Sequence, residues 1–292
     1  MNQQQSWINR KDYPFDSNYF ETGFGRIHYV DIGKGTPIVM TSGNPTWSYL
    51  YRNIIIELSK EYRCIAVDNL GFGLSDKPYD CDYLPSLHAQ NLDKLIKCLE
   101  LKNIIMMVHD WGGPIGLSYA YNYPNNVKKI IMFNTWSWPV NTDKYYERFS
   151  RFMGGPIGRF LIKNFNIFVH IVMKKATANK AVLTNDVMKH YSKPLEKRRE
   201  RKACWTFPKQ IIESTAWLEE IWSKSNNIVN HPVLLLWGGQ DIAFRKQELE
   251  KWKSVLKNYQ LEFMSDTGHY VQEEKYAYII PIIKRFLCLS DA

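Results

Sequence analysis

No stretch of the 292 residues approaches the roughly 18 consecutive apolar residues of a membrane-spanning helix, so no integral membrane segment is expected. The opening MNQQQSWINRKDYPF also lacks the apolar stretch of a signal peptide, and a cytoplasmic location is the expectation. Cysteine is sparse: the five residues at 64, 81, 98, 204 and 288 are odd in number, widely spaced and never in a CxxC pair. Reduced thiols follow, and disulfide frameworks and cysteine-based metal sites are set aside. Internal repeats, low-complexity linkers and known nucleic-acid modules are all missing, so no nucleic-acid partner is expected.

What the chain does have is a core. It is 45% hydrophobic, 14% aromatic and 23% charged, a balance that argues against disorder and suits one large domain with an insertion. The formal charge of +9 invites a search for a basic patch. KPLEKRRERK at 193–202 is one, preceded by Lys174, Lys175, Lys180 and Lys189. Interspersed glutamates make it read first as a solvated face. An anionic substrate, an anionic surface or a partner protein is the alternative occupant.

Residues 18–32 alternate and break at Gly23 and Gly25, predicting a β-hairpin. TPIVM (36–40), YRCIAVD (62–68), IIMMVHD (104–110) and KKIIMFN (128–134) read as buried strands. Helical spacing fills 50–60, 87–101 and GGPIGLSYAYNYP between them. That alternation, with continuously apolar strands, predicts an α/β fold whose mostly parallel sheet is covered on both faces. From 139 to 230 the rhythm gives way to a helical, aromatic and basic stretch. It resumes at HPVLLLWGGQD (231–241), and LEFMSDTGH (261–269) and a closing helix complete it. The economical division is a core of 1–138 and 231–292 carrying a helical cap of 139–230.

Strand IIMMVHD runs directly into WGGPIGL, the strand–turn–helix context of a nucleophile elbow. The G-x-S-x-G serine is absent, and Asp110 occupies the tip. Taken alone, Asp110 reads equally well as an N-cap of the helix. Asp241 after a later strand and His269 before the closing helix complete the order nucleophile, acid, histidine. His269 would act as base with Asp241 fixing its tautomer. Asp266 is the one rival acid close in sequence. An aspartate nucleophile suits attack at saturated carbon, giving an alkyl ester that water can cleave, and disfavours ordinary ester hydrolysis. Halide departure calls for N–H donors, whereas an epoxide oxygen needs an acid such as tyrosine. Trp111 and Asn44 are candidate donors, with core packing and an Asx-turn as their plain structural readings.

SGNPTWSYLYRNI, DNLGFGLSDKP, VHDWGGPIGL, NTWSWP and LWGGQD together resemble the haloalkane dehalogenases, over essentially the whole core. The resemblance implies an α/β-hydrolase fold with a helical cap. It implies Asp110 as nucleophile, His269 as base, Asp241 as acid and Asn44 with Trp111 as the halide- or oxyanion-binding pair. One branch of the family carries its acid after the sixth strand, where this chain has Asn134, so the pattern resembles the third subfamily. Ser42 stands where the family usually has histidine. The implied reaction is hydrolysis of a small apolar haloalkane to alcohol and halide, with every role falling to a side chain and no metal or organic cofactor. β-Lactone decarboxylases of olefin biosynthesis resemble dehalogenases at the same five positions and are the nearest alternative. Epoxide hydrolysis, with Tyr145, Tyr146 or Tyr191 as acid, comes third, and a catalytically inert ligand-binding fold last.

Overall fold

The computed structural model describes residues 5–289. β1 (Asn18–Thr22) and β2 (Gly25–Ile32) form the expected antiparallel hairpin, with Gly25 at φ +131° closing the turn. They edge an eight-stranded sheet of order β1-β2-β4-β3-β5-β6-β7-β8. Its remaining strands are β3 (Pro37–Thr41), β4 (Arg63–Val67), β5 (Ile104–His109), β6 (Val127–Phe133), β7 (Val233–Gly238) and β8 (Tyr259–Met264). β2 meets β4 antiparallel, and every pairing from β4 through β8 is parallel.

All six residues of β5 and of β7 are buried, although successive side chains point to opposite faces. The sheet is therefore covered on both sides, which is why these strands are written without polar alternation. Each such Val, Leu or Ile contributes roughly 1.5–3 kcal/mol by leaving water. Helices α1 (Arg52–Leu58), α2 (Pro85–Cys98) and α3 (Gly112–Asn122) supply part of that cover.

Among the described residues no strand lies between β6 and β7. The chain there forms α4 (Lys144–Met153), α5 (Pro156–Phe165), α6 (Met173–Ala176), α7 (Asn185–Ser192), α8 (Lys202–Glu213) and α9 (Thr215–Trp222). Asp143 caps α4 by accepting from the Tyr145 N–H at 2.8 Å, and Pro156 opens α5. Asn166, at φ +49°, ends α5 in a left-handed cap before a π-helical turn over Phe168–Val172. α10 (Lys246–Val255), α11 (Val271–Glu274) and α12 (Tyr276–Cys288) complete the chain, α12 packing on α1 and β7.

A buried cluster ties the helical segment to the rest. Arg52 on α1 donates to both carboxylate oxygens of Glu273 on α11, at 2.6 and 2.8 Å. The Tyr191 hydroxyl of α7 donates to the same carboxylate. The guanidinium also lies 3.9 Å from the Tyr49 ring centroid. Taking this pair out of water is offset only because every partner is in place.

Candidate active site

Each chemical group of the site sits just past the carboxyl end of a parallel strand, where the chain leaves the sheet for a loop. β5 delivers Asp110 at φ +52°, a left-handed conformation that costs a non-glycine residue about 1–2 kcal/mol. The turn is held from three sides: Asp110 N–H donates to Asn134 O (3.2 Å), while its carbonyl accepts from Gly113 N–H (2.8 Å) and Thr135 Oγ1 (2.6 Å). Its side chain does not serve as the N-cap of α3.

The two oxygens of the Asp110 carboxylate have different surroundings. Oδ1 accepts from the backbone N–H of Trp111 at 2.5 Å and of Asn44 at 3.3 Å. Oδ2 faces His269 Nε2 at 3.4 Å. Asn44 is brought in by the loop after β3, which Asn69 steadies through a 2.9 Å hydrogen bond to Ser42 O. Gly43 is required there, since a Cβ would stand 1.7 Å from Asp110 Oδ1.

His269 lies between β8 and α11, and its Nδ1 makes a 2.8 Å hydrogen bond with Asp241 Oδ2. Asp241 follows β7 and is oriented in turn by the Ala243 N–H, which donates to Oδ1 at 2.6 Å. Burial opposes a charged His269, but the Asp241 and Asp110 carboxylates outweigh it and hold the imidazole up at about 10. Among the described residues Asp266 makes no hydrogen bond or ion pair with this histidine; it pairs with Lys275 at 2.7 Å on the surface. Asn134 exchanges hydrogen bonds with the Gly238 backbone in both directions, at 2.8 and 3.1 Å.

The five singled-out side chains thus meet at one place, with one difference from expectation. The Asn44 amide already donates to Cys204 O on α8 at 3.1 Å, and its Oδ1 is buried with no hydrogen bond among the described residues. The Trp111 indole N–H makes no hydrogen bond to any described residue. Both residues line an apolar cavity of about 130 Å³, together with Asp110 and His269. Its far wall comes from the helical segment through Tyr146, Phe149, Phe168, Val172 and Ile211.

Two contributors had not been singled out from sequence. His109, next to Asp110, donates from Nε2 to His269 O at 3.0 Å, and its ring lies 4.4 Å from the His269 ring. Burial, then the neighbouring His269, push its pKa well below the ordinary value, so it stays neutral. Trp136 lines the cavity edge-on to Trp111, with centroids 4.7 Å apart, and its indole N–H has no hydrogen-bond partner among the described residues. Both lie inside the quoted motifs VHDWGG and NTWSWP, which was the available signal.

Three tyrosines considered as acids are committed elsewhere. Tyr145 and Tyr146 donate to the Ile242 and Ala243 carbonyls, and Tyr191 donates to Glu273.

A carboxylate with one oxygen in an N–H cradle, the other facing a histidine–carboxylate pair, and an apolar cavity above can support displacement and then hydrolysis. A family model for the alpha/beta hydrolase fold matches residues 36–276. Haloalkane dehalogenase 2 of Mycobacterium tuberculosis is 35% identical over 264 residues, covering 90% of this chain and 91% of that protein. A cis-3-alkyl-4-alkyloxetan-2-one decarboxylase of Shewanella oneidensis is 30% identical over 287 residues, covering 95% and 90%. Among solved structures, the haloalkane dehalogenase DatA of Agrobacterium tumefaciens superposes with a TM-score of 0.82 at 25% identity, covering 93% of this chain and 96% of that one. With most of its length matched by the family model and by these relatives, the chain belongs to the haloalkane dehalogenase family of α/β-hydrolases.

Proposed function

We propose that the protein hydrolyses a small haloalkane to alcohol, halide and a proton through an ester on Asp110, with residues 139–230 acting as a cap over the substrate. The observation that carries this reading is the asymmetry of the Asp110 carboxylate. Oδ1, cradled by two backbone N–H groups, is placed to be the ester carbonyl oxygen; Oδ2 is the attacking atom. In the first step Oδ2 forms a bond to the substrate carbon and the carbon–halogen bond breaks, the halogen leaving with the electron pair. The Trp111 indole N–H receives the halide, with Asn44, which lines the same cavity and is held by Cys204 O, as the second donor.

Esterification removes the negative charge of Asp110. One of the two carboxylates that hold the His269 proton is then gone, so the imidazole releases that proton and becomes a base. Water gives its proton to Nε2 and attacks Cγ. The charge that develops on Oδ1 falls between the Trp111 and Asn44 backbone N–H groups, as in an oxyanion hole. Collapse breaks the Cγ–Oδ2 bond, and the alkoxide takes the proton from His269. The alcohol oxygen therefore comes from Asp110.

The cavity volume bears on the choice of substrate. A dry pocket of about 150 Å³ accepts a molecule the size of benzene, so about 130 Å³ suits a short haloalkane. For epoxide opening, the three tyrosines weighed as acids, Tyr145, Tyr146 and Tyr191, are each committed to other acceptors.

The test is to replace His269 by Ala and expose the protein to a short bromoalkane. Bromide should be released once per chain, and mass analysis should find the alkyl group on the peptide containing Asp110. An unmodified Asp110, or carbon dioxide release from a β-lactone with no bromide release by the unmutated protein, would overturn the proposal.

A further inference from the structure

The outer face of the helical segment has a composition that its packing does not explain. Phe152, Ile157, Phe160, Phe165 and Ile171 are each between 48% and 64% exposed, within twenty residues of one another. On α5 the inward face is Gly158 and Ile162, so Ile157 and Phe160 point the opposite way, toward water. Exposed apolar side chains scattered singly need no account, but several large ones within one short segment point to an interaction surface. Phe160 and Phe165 are in edge contact at 6.1 Å, and Phe152 lies one turn beyond the cavity-lining Phe149 on α4. Phe152 therefore adjoins the wall of the substrate cavity.

Its charge is one-sided. From 144 to 176 the sequence has seven Lys and Arg residues and a single acid, Glu147, which is already paired with Arg151 at 2.7 Å. Arg159 and Lys163, one turn apart on the flank of α5, border with Lys202 a groove of about 830 Å³ that reaches Phe160. Two acids line that groove, Asp82 and Glu213, and Glu213 is paired with Lys209 at 2.8 Å. Lys174 and Lys175 are exposed just after Ile171.

We propose that this face docks peripherally on an anionic lipid surface, with Ile157, Phe160 and Phe165 entering the headgroup boundary and the flanking Lys and Arg residues meeting lipid phosphates. The occupant follows from the pairing of features. An apolar stripe rimmed by cations is the pattern of a helix lying in a bilayer interface, whereas two copies meeting face to face would bring two basic rims together. No described helix is long and apolar enough to cross a membrane, so the contact is one of surface binding. Small apolar substrates concentrate in lipid, and a patch whose Phe152 adjoins the cavity wall places the enzyme where they are.

Co-sedimentation with vesicles of phosphatidylcholine, with and without phosphatidylglycerol, tests the idea using the full chain. Binding should require the anionic lipid and weaken with added salt. The combined variant I157S/F160S/F165S should bind at least about ten-fold more weakly, and removing Lys174 or Arg159 should cost about five-fold each. Release of bromide from a short, water-dissolved bromoalkane should be unchanged in all these variants. That keeps the outcome separate from the fate of the catalytic reading. Equal binding to neutral vesicles, no binding at all, or undiminished binding by the triple variant would each overturn the proposal. So would light scattering that finds a dimer which the triple variant converts to monomer.

Discussion

The sheet and the helical segment solve the problem of charge in opposite ways. Around the active site, beneath the loops of the sheet, the ionised groups are buried and engaged with one another: Arg52 with Glu273, and His269 between Asp241 and Asp110. In the helical segment, charge is abundant and turned outward, and large apolar side chains accompany it to the surface. The first region is built so that one change is felt through a network. The second tolerates change in its fold and concentrates its consequences at a surface. Substitutions of matched kind in the two regions should therefore differ sharply.

The largest effect belongs to Asp241→Asn. His269 loses its orienting partner and the charge that stabilises its protonated form, and turnover should fall by about 10⁴-fold while the fold persists. The same variant tests the titration. In the unmutated protein the His269 pKa is raised from 6.5 to about 10, so its contribution to stability is complete below 6.5 and is lost as pH rises through 10. Thermal melts across that window should show a decline with pH that Asp241→Asn flattens. An unchanged slope would mean that Asp241 is not what holds the proton.

Glu273→Ala comes next. It leaves the Arg52 guanidinium buried without its counter-charge and strips Tyr191 of its acceptor, so denaturant unfolding should report a loss of about 3–5 kcal/mol. A loss below 1 kcal/mol would show that water reaches the cluster. Gly43→Ala follows, acting through geometry rather than charge. The new methyl would collide with Asp110 Oδ1 and push the carboxylate out of its N–H cradle. Displacement by about 1 Å is worth roughly 100-fold in rate, and single-turnover bromide release should show it in the alkylation step.

How much of this was legible in the sequence follows the same division. Strands such as Ile104–His109 announce themselves, because a strand buried on both faces must be apolar throughout. Asp110, Asp241 and His269 could be ordered because each follows such a strand. What sequence did not disclose is contact made across the fold. Cys204 O, which takes the Asn44 amide, is a backbone atom 160 positions away, and no side-chain pattern encodes it. His109 and Trp136 were hidden because an aromatic residue beside a strand end reads as core until its neighbours are known. The tyrosines at 145, 146 and 191 looked available as acids because their acceptors lie on other elements.

The basic run at 193–202 sharpens the comparison at its smallest scale. Sequence treats it as one solvated face, yet the structure divides it. Arg201 is buried, and its guanidinium donates to Leu195 O at 2.7 Å, Glu196 O at 2.7 Å and Lys163 O at 2.8 Å, fastening the end of α5 to the start of α8. Lys193 and Lys197 pair with Glu196 and Glu200 three residues on, at 2.7 and 3.4 Å, as exposed ion pairs worth about 0.2–1 kcal/mol each. Arg201→Ala should therefore destabilise by about 3 kcal/mol, since charge-assisted hydrogen bonds contribute roughly 1.5–3 kcal/mol and three carbonyls lose their donor together. Arg199→Ala, two residues earlier and exposed, should stay within about 0.5 kcal/mol of the unmutated protein. Paired urea titrations decide the matter: equal losses would restore the reading of a uniform charged face, and a several-fold difference would establish that one arginine of the run belongs, physically, to the interior.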